Sequence, residues 1–181
     1  RNIGLTTRGE RDLVANIELV QPLSAAELPP NLRNSMVEPF VFFALPDQRT
    51  IYMSVTSTLF VQDLSKVYAW LYYSNCSFEP LADYLAMLKY HQPGDFPGGR
   101  YPTPLEVFDI PSGTFDDDDN DTPVEAMALS LFNEARAFII AHELGHIRYQ
   151  HGSSATSLLQ AQEEESQADA YALNVLATTQ S

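Results

Sequence analysis

Residues 122–151 carry the local signals of one long helix, and that helix constrains everything around it. Thr122 offers an N-cap hydroxyl, Pro123 suits the first helical position and Glu125 completes a capping box. The acidic run at 116–121 suits the positive end of the helix dipole, and Gly152 is the expected stop. At about 1.5 Å per residue the helix would be a rod around 40 Å long. Projected at about 100° per residue, Val124, Ala128, Leu131, Ala135, Phe138, Ile139 and Tyr149 fall within about 60° of His142. Asn133 and Arg148 fall on the far side, with Glu134 at the flank. His142 and His146 therefore share the apolar face.

Two imidazoles on an apolar face need partners. Residues four apart are about 40° apart around the axis and one turn along it, so the rings of His142 and His146 can converge on one ion. The pentapeptide His142-Glu143-Leu144-Gly145-His146 thus supplies two corners of a tetrahedral zinc site. Glu143, rotated about 100° from His142, stands beside the open position as a general base rather than a ligand. Satisfied core histidines are the alternative.

A catalytic zinc takes three protein ligands, so a third is expected. In a closing helix over 157–177, Leu158, Ala161, Ala168, Asp169, Ala172 and Leu176 lie within about 60° of Glu165, whereas Glu163 and Glu164 point away. A carboxylate in an apolar stripe is costly unless it is paired or bound to metal. Glu165 is therefore the expected third ligand. Asp169, one turn later, is expected to accept a hydrogen bond from a liganding histidine.

The remaining sequence sets the surroundings. Runs at 40–45 and 50–55, separated by Pro46, Asp47 and Gln48, read as a hairpin whose second strand could offer its edge to an extended peptide. Helices are expected over 63–73 and 77–90, with Leu64, Val67, Trp70 and Leu71, then Leu81, Tyr84, Leu85 and Leu88 as core. Ser24 and Glu27 suggest a short helix stopped by Pro29 and Pro30. The Pro- and Gly-rich stretch 91–104 reads as loop, a candidate cleft wall or lid. The run 116–121 lacks the glycine and terminal glutamate of a calcium loop and reads as a solvated segment.

A formal charge of −14 argues against nucleic acid or anionic lipid as partners, and no apolar stretch approaches the roughly 20 residues of a membrane span. The lone Cys76 excludes an internal disulfide and reads as core filler. The missing initiator Met and the scarcity of lysine, with only Lys66 and Lys89, lean towards a periplasmic or secreted address, with the cytoplasm as alternative.

The pentapeptide, the following His151, and the segment Glu165-Ser166-Gln167-Ala168-Asp169-Ala170-Tyr171-Ala172 together resemble the gluzincin metallopeptidases. They are most similar to the group of the CAAX prenyl protease and its soluble bacterial relatives. The resemblance is strongest over residues 123–176. It implies an α+β fold, a single zincin-like domain over 1–181 with a small antiparallel sheet or hairpin packed on a central zinc-binding helix and further helices. The expected segments are an N-terminal part (1–39), a strand region (40–62), a helical and loop insertion (63–121), the zinc helix (122–152) and the third-ligand helix (157–177).

The resemblance also implies Zn2+ as cofactor, a peptide or protein substrate, Glu165 as ligand and Asp169 as the group orienting a histidine. The long insertion between strands and zinc helix departs from the family pattern. So does the lack of an obvious downstream counterpart to the family's oxyanion-steadying residue, for which His151, Tyr149, His91 or a hairpin tyrosine are the candidates. The expected activity is that of a zinc-dependent endopeptidase. A catalytically inactive zinc module that binds peptides, or a zinc hydrolase of another substrate, stay open as alternatives.

Overall fold

Phe42, Phe43 and the β-branched or aromatic residues at 50–52 favour extended backbone, and the turn between them is short. In the computed structural model, which describes residues 2–5, 13–20, 41–115, 122–151 and 157–179, they form strands β3 (Phe42–Leu45) and β4 (Thr50–Ser54). The 3-10 turn Pro46–Gln48 and a left-handed Arg49 join them. Two further strands, β1 (Asn2–Leu5) and β2 (Leu13–Val20), complete a four-stranded sheet in the order β1-β2-β4-β3.

The hairpin is antiparallel, as expected, but β2 joins β4 in parallel, so the sheet is mixed. β4 is thus paired on both sides and has no free edge for a peptide; β3 lies at the edge instead. The Ser54 N–H donates to the Val41 carbonyl, which fixes the alternation along β3. Ala44, opposite Ile51, consequently turns its backbone groups away from β4. The possible helix near Ser24 and the acidic run 116–121 lie outside the described residues.

Among the described residues the α-helices are α1 (Val55–Tyr73), α2 (Glu79–Tyr90), the single turn α3 (Pro104–Val107), α4 (Pro123–Tyr149) and α5 (Leu158–Thr179). The fold is α+β. The capping box at Thr122 forms as its residue types require: the Thr122 hydroxyl accepts from the Glu125 N–H at 3.3 Å, and the Glu125 carboxylate accepts from the Thr122 N–H at 3.2 Å. α4 stops at Tyr149, short of Gly152, because Gln150 adopts a left-handed conformation. Among the described residues no helix is long and apolar enough to cross a membrane.

The chain divides into two compact units. One takes Arg1–Gln21, Val41–Val55 and Ala135–Ser181, and its core gathers Ile51, Met53, Ala141, Leu144, Ile147, Tyr171, Ala172 and Val175. The other takes Pro22–Phe40 and Thr56–Glu134, and so contains the expected insertion at 63–121. Its core holds Phe60, Val67, Leu71, Leu81, Tyr84 and Phe108. Within it the 91–104 loop is fastened rather than free: the Tyr84 hydroxyl donates to the Pro102 carbonyl and the Tyr101 hydroxyl to the His91 carbonyl, both at 2.7 Å. Leu85 is 41% exposed, so α2 buries a narrower stripe than its leucines suggest. Cys76, expected in the core, is exposed just beyond α1.

In the first unit α4 meets α5 where Gly145 faces Ala168. A Cβ on Gly145 would stand 2.9 Å from the Ala168 Cα, closer than real side chains come, and a tight 3.2 Å from its carbonyl oxygen. Gly145→Ala is therefore expected to force the helices apart and lower stability by about 1–3 kcal/mol, measured by urea denaturation.

Candidate metal centre

The close approach at Gly145 lets side chains from two helices reach one point. On α4, His142 and His146 bring their Nε2 atoms to 3.1 Å from each other. From α5 the Glu165 carboxylate comes within 3.2 Å of the His142 Nε2 and 3.6 Å of the His146 Nε2. One ligand atom from each of the three lies within 4.8 Å of the others, so the group could hold a metal ion.

The partners behind the rings decide what faces that point. Asp169 Oδ1 lies 2.9 Å from His142 Nδ1. An ionised carboxylate only accepts, so Nδ1 carries the hydrogen, and in the neutral ring the Nε2 lone pair is turned inward. Burial, opposed by the Glu165 charge, holds the His146 pKa below the usual histidine value and favours its neutral, ligating form. The cluster therefore offers acceptors converging on one point, an arrangement that a cation satisfies.

Glu143 is the buried carboxylate of the site. It is 6% exposed, in the segment where Ala141, Leu144, Gly145 and Ile147 are also buried. Burial pushes its pKa up to about 7, the Glu165 charge adds to the rise, and the His142 ring and a backbone hydrogen bond from Ala44 oppose it. The donor is the outward-facing N–H of the edge strand β3.

The sequence expectation that Glu165 and Asp169 are buried is corrected. Their side chains are 62% and 56% exposed. The apolar stripe of α5 is fully covered only from Ala168 onward, while Leu158 and Leu159 at its start stay open to solvent. A helical projection gives direction around the axis but not how far along it the neighbouring helix reaches. Glu165 stands where that cover ends. The two histidine side chains, at 17% and 16% exposure, line the floor of the opening.

His151 and Tyr149, read as candidate oxyanion helpers, sit behind the site. His151 Nδ1 lies 3.0 Å from His146 Nδ1, the nitrogen on the side away from Glu165, and Tyr149 stacks on the His151 ring at 5.6 Å. Sequence reasoning missed Gln167, whose Oε1 lies 3.2 Å from His151 Nε2, and the Ala44 backbone. Gln167 is turned about 160° from Glu165 around α5, and its partner follows a left-handed residue, so no single helix face displays the pair. The Ala44 contact is a main-chain one and leaves no mark in residue type.

Residues 101–181 match the model of the family described as Peptidase U49. That stretch contains His142, Glu143, His146, Glu165 and Asp169, and the match supports a peptidase family. No curated protein and no solved structure matches the chain.

The raised Glu143 pKa has a thermodynamic signature. Taking about 4.5 unfolded and about 7 folded, the metal-free folded state binds the extra proton between those values, so stability falls as pH rises through that window. Glu143→Gln removes this dependence. At pH 8 the metal-free variant is expected to exceed the wild type in stability by up to about 3 kcal/mol, an advantage that shrinks towards pH 4 in paired urea titrations.

Proposed function

We propose that this protein is a zinc-dependent endopeptidase of the gluzincin type, with His142, His146 and Glu165 as ligands, Glu143 as general base and Asp169 orienting His142. The observation that carries the reading is the convergence of three acceptor atoms beside a buried carboxylate whose pKa lies near neutrality. For a tetrahedral zinc with bonds of about 2.0–2.2 Å, ligand atoms stand roughly 3.3–3.5 Å apart. Separations of 3.1, 3.2 and 3.6 Å lie within about 0.2 Å of that edge length. When bound, zinc would supply Lewis acidity, polarising a carbonyl and lowering the pKa of water.

The rest is the work of this chain's own groups. Glu143, poised near pKa 7 by burial, takes a proton from the attacking water and returns it to the leaving amine. The Ala44 N–H holds its carboxylate in place. Asp169 keeps the hydrogen of His142 on Nδ1, so that Nε2 is the ligating atom. The peptide lies along the outer side of β3, the edge strand among the described residues, beside the Ala44 N–H that holds Glu143, which brings its backbone past that carboxylate.

Digestion of a peptide library tests the reading. Removal of zinc by a chelator is expected to abolish cleavage, and added zinc to restore it. Glu143→Gln is expected to keep stoichiometric zinc while cleavage falls by at least about 100-fold. Stoichiometric zinc with no cleavage that depends on Glu143 would leave a zinc-holding peptide-binding module instead, and a chain that takes up no zinc would remove the site altogether.

A further inference from the structure

The C-terminus of α4 returns the chain onto its own metal-facing histidine. Gln150 is left-handed with φ 55°, the Gln150 N–H donates to the Ile147 carbonyl at 3.4 Å, and the His151 N–H donates to the His146 carbonyl at 3.0 Å. This six-residue closure is a Schellman turn. The Gln150 side chain reinforces it by donating from Nε2 to the Ile147 carbonyl at 2.8 Å. Its result is that the His151 ring lies directly behind the His146 ring.

A run of four side chains then follows, and the donor or acceptor character of one fixes the next. Gln167 donates from Nε2 to the Glu163 carboxylate at 3.4 Å, which sets the orientation of its amide. Its Oε1 therefore faces His151 Nε2 at 3.2 Å as an acceptor, and Nε2 must carry the hydrogen. In neutral His151 this leaves Nδ1 bare. That atom, 3.0 Å from His146 Nδ1, can only accept, so His146 carries its hydrogen on Nδ1 and presents a bare Nε2 towards His142 and Glu165.

We propose that His151 is a positioning residue that fixes the tautomer and ring orientation of His146 for metal binding, with Gln167 in turn fixing the tautomer of His151. The two liganding histidines are thereby prepared in different ways, His142 by a carboxylate and His146 by a neutral relay. The proposal rests on the metal-site reading above, and its test separates the two. Zinc affinity is measured by competition with a chelating indicator for the wild type, His151→Leu, His151→Asn, Gln167→Leu and Gln167→Glu, each checked for folding by circular dichroism. Nitrogen-15 shifts of the His146 ring report its tautomer in the metal-free protein.

His151→Leu is expected to weaken zinc binding by about 10- to 100-fold, the usual effect of losing such a partner. His151→Asn, whose amide oxygen can stand where Nδ1 stood, is expected to recover most of that loss. Gln167 is exposed, so its variants report on the relay without disturbing a core. Gln167→Leu is expected to weaken zinc binding several-fold and to populate the Nε2-protonated form of His146, whereas Gln167→Glu keeps the acceptor and the wild-type tautomer. Wild-type zinc affinity in both leucine variants would overturn the proposal while leaving the metal site standing. A wild type without zinc binding would overturn the site reading, and the His146 tautomer in the leucine variants would still decide whether the relay exists.

Discussion

Side chains on two helices can share one ion only if the helix axes come close enough for short groups to span the gap. Here that condition is met where Gly145 lies against the backbone of Ala168, one residue before a candidate ligand on α4 and three after the candidate ligand on α5. Any side chain at position 145 would separate the very turns that carry His146 and Glu165. The hydrophobic packing on the same helices supports the approach, with Ala141, Leu144, Tyr171, Ala172 and Val175 in one core cluster. Small residues at 168 and 172 let α5 lie near, and the larger ones fill the space that remains.

Given that approach, the electrostatics of the site follow from unequal burial. The histidines sit part-way down, Glu165 and Asp169 stand in the opening, and Glu143 lies in the protein interior. Carboxylates differing so much in solvation differ in what they can do. Those at the rim hold their oxygens open to a cation or a histidine N–H, while burial raises the pKa of the interior one to about 7. The folded protein carries this interior charge as a local weakness, a common accompaniment of sites arranged for chemistry.

How much of this could be read from residues alone depended on whether the cause was local. The capping box at Thr122, the hairpin around residues 46–48 and the convergence of His142, His146 and Glu165 rest on spacing and near-neighbour chemistry, and the sequence carries them directly. The parallel pairing of β2 with β4 depends on partners far apart in the chain, which no local pattern announces. The degree of burial was misjudged for Glu165 and Asp169, and the enclosure of Glu143 was not foreseen. Glu165 was expected inside and stands outside, because α5 is not fully covered before Ala168; Glu143, read only as a neighbour of the metal, is enclosed. The end of α4 was placed at a glycine, but a left-handed Gln150 stops the helix earlier, which no residue preference announces.

The hold on Glu143 from β3 is made by the main chain. Since the amide of residue 44 is present whatever side chain it bears, the strand can drift in sequence while the main-chain hold on the Glu143 carboxylate persists. Proline alone among the natural residues would remove that N–H. The side chains of these four residues can therefore change without removing the group that positions the Glu143 carboxylate.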